Sequence, residues 1–197
     1  NRPHRGIGEE SIIEHICENI ALGTYSKKTI SIILRSHPHD DTFKKRFNKF
    51  KNYPFVKLME SPELSNYSPE EFREDMINVS ILLQRSNLVL CGQSTFAIDA
   101  SCTDTPIINI AFEGELNIEE NLSVNNRYNV DHYQKLLSMD GTMLVQDFKS
   151  LDISIEKYLD NPSFKAAGRK KIKINFAGIN DKSSSDLISE RISELLN

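Results

Sequence analysis

Residues 87–100 read NLVLCGQSTFAIDA, and the interpretation of the whole chain starts from this stretch. The apolar run 88–91 is short and ends at Gly92, which is typical of a buried strand that enters a turn. Ser94 and Thr95 then open a helical pattern, in which Ser94 is predicted to cap the helix. A strand, a turn and a helix in this order place free backbone N–H groups at the carboxyl edge of a sheet, where an anion such as phosphate can be held.

The rest of the chain alternates strand and helix patterns. Strands are predicted at 29–35, 54–59, 88–91, 107–111 and 142–145. Helices are predicted at 8–22, 41–52, 131–137, 150–159, 163–176 and 184–196, and one more follows the capping motif that starts at Ser68. Short strands that are apolar on both faces and alternate with helices indicate a doubly wound, Rossmann-like α/β fold, in which helices cover both faces of a parallel sheet.

Composition narrows the class of protein. The chain has 197 residues, of which 39% are hydrophobic, and a net charge of -4, so no nucleic-acid partner is expected. The three cysteines lack metal-ligand spacing and are interpreted as reduced core residues of a cytoplasmic protein. The apolar runs are far shorter than the ~20 residues that a membrane span needs, although peripheral association at the inner face of a membrane stays compatible with the sequence.

A second polar cluster, Arg35-Ser36-His37-Pro38-His39, follows the predicted strand 29–35. Pro38 restricts His37 to extended geometry, which would direct the imidazole across the sheet edge. A histidine there can donate to a phosphate oxygen and stabilise the charge of a departing nucleotide, so His37 is the candidate catalytic residue. The alternative is a structural or merely exposed histidine.

Residues 92–99 are the predicted phosphate and ribose contacts. Gly92 makes the turn, Gln93 and Ser94 follow it, and N–H groups near Thr95 and Phe96 are expected to face a bound phosphate. Asp99 lies one helical turn further on and could accept hydrogen bonds from ribose hydroxyls. By spacing alone, an ordinary capped junction and a solvent-facing acid explain these residues equally well.

Two weaker candidates, Glu113 and His132, border the segment 112–130, which has no clear period. Each could reach a ligand, and each could equally cap a helix or face water. The histidines form no zinc spacing, and the chain contains neither the glycine-rich dinucleotide fingerprint nor a P-loop, so no metal and no bound cofactor are predicted.

Several of these motifs together resemble a known family. The runs 33–38, 88–95 and 98–100, followed by Thr105-Pro106, look like the C-terminal, donor-binding half of a GT-B glycosyltransferase of bacterial capsular or surface polysaccharide synthesis. The His37-Pro38 and Ser94-Thr95 pairs are similar to those of bacterial sialyltransferases, capsule Kdo transferases and CDP-glycerol glycerophosphotransferases. The resemblance spans 29 to the C-terminus, including an ending of the type Asp181-Lys182-Ser183-Ser184-Ser185.

The resemblance implies a nucleotide-sugar site. In it, Arg35, His37, Pro38 and the turn 92–95 bind the donor phosphates, Asp99 approaches the ribose, and the donor nucleotide is of the CMP or CDP type. Asp99 departs from the Glu of many relatives, and Asp104 stands where Gly usually precedes Thr-Pro. Acceptor and catalytic base are implied to come from a separate N-terminal domain.

The whole chain, 1–197, is therefore interpreted as a donor-binding domain and one half of a GT-B architecture. Because it begins with Asn1 rather than Met, it is expected to be part of a longer protein. The expected activity is metal-independent transfer of a sugar, or a polyol phosphate, from a nucleotide to a surface glycan acceptor. The alternatives are a sugar-nucleotide epimerase of GT-B-like fold and a non-catalytic nucleotide-binding scaffold.

Overall fold

The computed structural model shows a mixed α/β fold in which parallel strands are flanked by helices. It describes residues 8–25, 29–62, 68–119, 122–178 and 182–196. The start of the chain at Asn1 and the predicted motif residue Asp181 lie outside the described residues. The architecture is compatible with the predicted Rossmann-like fold.

Each predicted strand is confirmed, and all five are shorter than expected. In chain order they are β1 (Ile32–Arg35), β2 (Val56–Met59), β3 (Val89–Cys91), β4 (Ile107–Ile110) and β5 (Met143–Val145). All pairings are parallel. The carboxyl ends of paired strands therefore share one sheet edge, which is where the predicted site residues were expected.

The helices also lie where their periodicity predicted them. They are α1 (Glu9–Ala21), α2 (Phe43–Phe47), α3 (Pro69–Arg85), α4 (Phe96–Cys102), α5 (Asp131–Leu137), α6 (Phe148–Asp160), α7 (Ala166–Ala177) and α8 (Ser184–Leu196). The 3-10 segment Asn48–Asn52 follows α2, and the 3-10 segment Val124–Asn129 precedes α5. Across the described ranges, no helix combines the length and the apolar content that crossing a bilayer would require.

The capping box that starts α3 is confirmed. The Ser68 hydroxyl accepts a hydrogen bond from the Glu71 N–H at 3.2 Å, and the Glu71 carboxylate accepts one from the Ser68 N–H at 2.9 Å. Pro69 occupies the first helical position, where its missing N–H costs nothing. Local chemistry alone therefore fixes where this helix begins.

The strands form two sheets rather than the single one expected. β1 pairs with β2, and β3, β4 and β5 pair in that order. In the second sheet β4 is central, and its residues 107–109 are completely buried. The hydrogen bonds between the described strands therefore do not show one continuous doubly wound sheet.

Helix α1 packs against both sheets. Ile12 and Ile16 belong to the buried cluster that contains Ile108 of β4, whereas Cys17 is buried with Leu34 of β1. Neighbouring faces of one helix thus contribute to two apolar clusters. Contacts between such clusters keep the sheets in one core even without shared hydrogen bonds.

Position 104, where the resemblance leads one to expect glycine, has left-handed backbone geometry. Asp104 has a φ of 57°, a region that glycine adopts without penalty. Its carboxylate accepts a hydrogen bond from Nε of Arg169 at 2.8 Å, while the Arg169 Nη atoms donate to the carbonyls of Phe164 and Pro162. Arg169 is fully buried, so these partners are needed to hold its charge.

We expect Gly168→Ala in α7 to destabilise the protein, although alanine is the better helix former by about 1 kcal/mol. A Cβ at position 168 would lie 2.1 Å from the carbonyl oxygen of Asp140, whose backbone cannot move aside without disturbing the loop before β5. Overpacking of this kind should give a net loss of about 2 kcal/mol in the free energy of unfolding, measured by urea denaturation. Lys170→Ala, at an exposed position of the same helix, is the control and should change it by less than about 0.5 kcal/mol.

Candidate functional site

The turn that follows β3 has an open flank. Gly92 has no left-handed φ, and a Cβ added there would meet nothing within 4 Å. Neither backbone conformation nor lack of space therefore requires glycine at position 92. Open space beside a backbone at the carboxyl end of a strand is where a ligand can approach closely.

The inner side of the same turn is held by two buried polar side chains. Asn109 of β4 donates from Nδ2 to the hydroxyl of Tyr133 at 2.8 Å and to the carbonyl of Gly92 at 3.4 Å. The Tyr133 hydroxyl in turn donates to the carbonyl of Ser94 at 3.4 Å. We call Asn109 and Tyr133 the brace. It fixes two of the turn's carbonyl groups toward the interior.

The amide groups of Gln93, Ser94 and Thr95 have no acceptor within the described part of the chain. Among the described residues, no hydrogen bond is made by the N–H of Gln93, Ser94 or Thr95. These residues are half-buried or exposed, so a ligand can reach them. Consecutive unpaired amides form an anion-binding concavity of the kind that holds phosphates.

The predicted helix cap is corrected in its details. Helix α4 begins at Phe96, with Thr95 at the N-cap position and no side-chain cap bond from it. The hydroxyl of Ser94 accepts the hydrogen bond of the Phe96 N–H at 3.2 Å, so this amide does not face a ligand as expected. Because α4 has seven residues, its dipole adds little, and the anion-binding capacity rests on the turn itself.

At the end of β1, Arg35 is held by an ion pair with α3. Its Nη2 lies 2.8 Å and 2.7 Å from the two carboxylate oxygens of Asp75, and both side chains are largely buried. Nε of Arg35 is buried without a hydrogen-bond partner. The guanidinium is thus fixed in place at the strand end by Asp75. Direct contact between Arg35 and a donor stays a prediction.

The next two residues clamp and turn the chain. Ser36 is buried, and its hydroxyl and carbonyl both bond to Ser61, at 2.7 Å and 2.6 Å. A β-turn follows, closed by the Asp40 N–H on the His37 carbonyl at 2.9 Å, with Pro38 at its second position. The Nδ1 of His37 accepts the His39 N–H at 3.1 Å, so the neutral imidazole carries its proton on Nε2. His37 is exposed.

Asp40 anchors this turn to the body of the protein. Its carboxylate accepts hydrogen bonds from Arg46 Nη2 at 2.5 Å and from the Thr42 hydroxyl at 2.7 Å. Arg46 also donates to Glu9 of α1 at 3.1 Å. Partial burial opposes the charged form of Asp40, but the hydrogen bonds from Thr42 and Arg46 outweigh it and hold the pKa of that carboxyl below its usual range.

Asp99 lies on the surface of α4, in the first turn of that helix. It is exposed by area, yet loss of solvent on its protein side raises the pKa of its carboxyl above the usual value. In the part of the chain that the structure describes, its carboxylate accepts no hydrogen bond. That carboxylate is available to a hydroxyl-bearing ligand, and its role toward ribose stays a prediction.

The two weaker candidates differ in their surroundings. The Glu113 carboxylate accepts hydrogen bonds from the Ser123 hydroxyl at 2.8 Å and from the Val124 N–H, and so it holds the 3-10 segment that precedes α5. This is a structural role that the sequence left open. His132 is exposed on α5, where its ring lies 6.5 Å from that of Tyr133.

Burial raises the pKa of the Cys91 thiol to about 12, so this cysteine beside the turn is protonated at neutral pH. Within the described ranges, no group of three or more His, Cys, Asp or Glu side chains is arranged to hold a metal ion. The cysteines there are free thiols, as predicted.

Several important residues escaped the sequence analysis. Asn109 was visible as an Asn in an otherwise apolar strand, which is a signal for a buried polar contact. Tyr133, Asp75 and Asp40 gave no such signal, because their partners are brought close only by the fold. Tyr133 lies 24 residues from its partner Asn109 in the sequence, and Asp75 lies 40 residues from its partner Arg35.

The two predicted clusters follow different sheets. His37 follows β1 and Ser94 follows β3, and the bodies of these strands share one apolar cluster through Ile32 and Leu90. The structure therefore brings the two strands into one core, while a common ligand stays a prediction.

No protein-family model matches the chain, and a search of curated proteins finds no significant relative.

We expect Asp40→Asn to destabilise the protein by about 1 kcal/mol at pH 7, as one charge-assisted hydrogen bond is weakened at a partly exposed site. Because the folded-state pKa of Asp40 is lowered, its contribution is present above the ordinary value of about 4 and is lost as pH falls through the lowered pKa. Urea denaturation should therefore give a lower free energy of unfolding for the variant than for wild type at pH 7, and equal values near pH 2. Asp41→Asn, its exposed neighbour, should match wild type at both values. A difference that persists undiminished in acid would contradict the ionic role of Asp40.

Proposed function

We propose that this chain is the donor-binding domain of a glycosyltransferase that uses a nucleotide-activated sugar or polyol phosphate. The observation that carries the proposal is the turn after β3, where the amides of Gln93, Ser94 and Thr95 have no acceptor among the described residues and Gly92 leaves open space beside them. Unpaired amides at the carboxyl end of a parallel strand are suited to phosphate oxygens.

Most of the predicted site residues have a role in this proposal. The amides of residues 93–95 and the hydroxyl of Thr95 bind the donor phosphates. His37 donates from Nε2 to the leaving nucleotide, and Asp99 accepts from the ribose. Arg35, fixed by Asp75, contributes positive charge at the edge of β1. Donors that are already oriented stabilise developing charge without reorganisation during the reaction.

The doubly wound arrangement belongs to the same proposal. If β1 lies beside β3, the strand order becomes β2-β1-β3-β4-β5, and the chain switches direction between β1 and β3. Ligands of open α/β sheets bind at such a switch point. In support, Ile30 and Ile32 from the β1 side pack in one cluster with Leu88 and Leu90 from the β3 side. The two polar clusters would then flank a single crevice.

The backbone at position 104 also supports the proposed family. Relatives of the proposed kind carry Gly before Thr-Pro, and Asp104 occupies a left-handed conformation that favours glycine. The departure from the family pattern is thus accommodated by the same backbone, with the carboxylate bound to Arg169.

In the proposed reaction with a sugar donor, the bond between the sugar carbon and the nucleotide phosphate oxygen breaks, and an acceptor hydroxyl bonds to that carbon. With a polyol phosphate donor, the P–O bond of the pyrophosphate that leads to the nucleotide breaks, and the acceptor hydroxyl bonds to the polyol phosphorus. The proton of the acceptor hydroxyl leaves to a base that we assign to an acceptor domain outside this chain. The residues here hold the nucleotide and stabilise the charge that develops on the leaving phosphate. We place the reaction in the cytoplasm, with a surface glycan as acceptor.

A panel of nucleotides tests the proposal against its rivals. Thermal shift with CMP, CDP, UDP and GDP should show stabilisation by at least one, with the cytidine nucleotides favoured. A donor site and an epimerase both bind nucleotides, but only the epimerase converts the sugar without an acceptor. Absence of stabilisation by every nucleotide would contradict the donor site and the epimerase, and a nucleotide-binding scaffold with them.

His37→Ala should weaken the binding of the stabilising nucleotide by about 1.5–3 kcal/mol, because one charge-assisted hydrogen bond is lost. His39→Ala is the matched control, since its ring lies 5.5 Å from that of His37 and its contribution to the turn comes from the backbone. Isothermal titration should show the loss for position 37 alone. Equal affinities in the two variants would remove His37 from the site.

Gly92→Ala should leave the free energy of unfolding within about 0.5 kcal/mol of wild type, because the added methyl group meets no atom of the protein. The same methyl group would stand where the donor phosphate approaches the turn, so nucleotide affinity should fall about tenfold, or roughly 1.4 kcal/mol. Calorimetric titration together with urea denaturation measures both quantities. A variant that binds normally would place the ligand away from this turn.

A further inference from the structure

The brace under the turn controls which way the turn's peptide units face. In a trans peptide unit the C=O and the following N–H point in opposite directions. The carbonyl of Gly92 is bound by Asn109, and the carbonyl of Ser94 is bound by Tyr133. The N–H groups of the same peptide units, those of Gln93 and Thr95, must therefore face away from the interior.

The two brace residues act in series. Asn109 donates to the Tyr133 hydroxyl, and that hydroxyl donates onward to Ser94, so each hydrogen bond polarises the next. Both side chains are almost completely buried, with 0% and 2% of their surface exposed. Burial raises the pKa of the Tyr133 hydroxyl, which keeps it a donor across the neutral range.

In a polar pair with a purely structural role, every buried polar atom would have a hydrogen-bond partner. In this pair, one polar atom has none. The Oδ1 of Asn109 is buried and has no hydrogen-bond partner. An apolar residue would avoid that penalty, so the carboxamide is more costly than the strand requires. What the carboxamide adds is the pair of donors that reach the turn and Tyr133.

We propose that Asn109 and Tyr133 are positioning residues, which hold the amides of Gln93 and Thr95 turned outward toward a phosphate or diphosphate group. The inference deepens the proposed function and rests on its phosphate site, but not on the identity of the nucleotide or of the sugar. Without the brace, the two peptide units are free to rotate, and the amides no longer converge on one anion.

Tyr128 provides a matched control. Its hydroxyl is also buried, and it donates to the carbonyl of Ile110 at 2.7 Å without contact to the turn. Its ring meets that of Tyr133 edge to face at 5.2 Å, so both tyrosines belong to one packed pair. Tyr128→Phe and Tyr133→Phe each delete one buried hydroxyl from the same cluster.

The experiment follows the backbone amides by two-dimensional NMR while inorganic pyrophosphate is added at constant ionic strength. In wild type and in Tyr128→Phe, the signals of Gln93 and Thr95 should shift saturably, with dissociation constants within twofold of each other. In Tyr133→Phe the dissociation constant should rise at least fivefold. Asn109→Leu, which removes the unpaired acceptor together with the donors, is a second variant that should show the same loss.

Two results would overturn the inference. One is a pyrophosphate affinity of Tyr133→Phe that equals the affinity of Tyr128→Phe. If Tyr133→Phe does not fold, Asn109→Leu takes its place in this comparison. The other is absence of any shift at Gln93 and Thr95 in wild type. The proposed function fails separately: pyrophosphate shifts with no nucleotide binding would contradict the transferase alone, whereas nucleotide binding that survives Tyr133→Phe unchanged would contradict the brace alone.

Discussion

The structure depends on one helix that serves two sheets. Ile12 and Ile16 of α1 close the cluster over β4, and Cys17 closes the cluster over β1. Since the two sheets share no ladder hydrogen bonds, apolar contacts of this kind carry their association. The first turn of α1 also meets the loop after β4 closely, because a Cβ at Gly8 would overlap the carbonyl of Glu113. The position of α1 is therefore linked to the positions of both sheets and of the loop after β4.

At the candidate site the groups that could meet a ligand are mainly backbone amides. Side chains such as Asn109 and Asp75 lie behind the functional groups and orient them, while the groups offered to a ligand are amides and the imidazole of His37. Burying the orienting groups has a cost, and the unpaired Nε of Arg35 and Oδ1 of Asn109 show it. Each unpaired buried group costs on the order of 1–3 kcal/mol. Such costs are commonly concentrated where function requires a fixed geometry.

Local features of this fold could be predicted from the sequence, and long-range ones could not. The capping box at Ser68, the strand 107–111 and the helix at 131–137 follow from residue types within a few positions of one another, and all three are confirmed. The α4 start was predicted one residue too early, because Ser94 binds the Phe96 amide from outside the helix. The number of sheets depends on hydrogen bonds between strands far apart in sequence, which no local pattern encodes.

The same limit applies to the site. The candidate residues could be named because strand ends in parallel sheets meet at one edge. Their fixing partners depend on register: Cys91 stands opposite Asn109, and this pairing is what brings the carboxamide to the turn. A shift of one residue along β4 would turn Asn109 to the other face of the sheet. The orientation of the turn is thus a property of strand pairing, which the sequence alone leaves open.

The aromatic pair beneath the turn has an optical consequence. The chain contains no tryptophan and six tyrosines, so its near-ultraviolet emission comes from tyrosine alone. Tyr128 and Tyr133 are packed against each other, and the Tyr133 hydroxyl bonds to the carbonyl of Ser94 in the Gly92–Thr95 turn. Any event that moves this turn alters the surroundings of a native fluorophore. The protein therefore carries a built-in reporter for occupancy of its own candidate site, and no dye or introduced label is needed to read it.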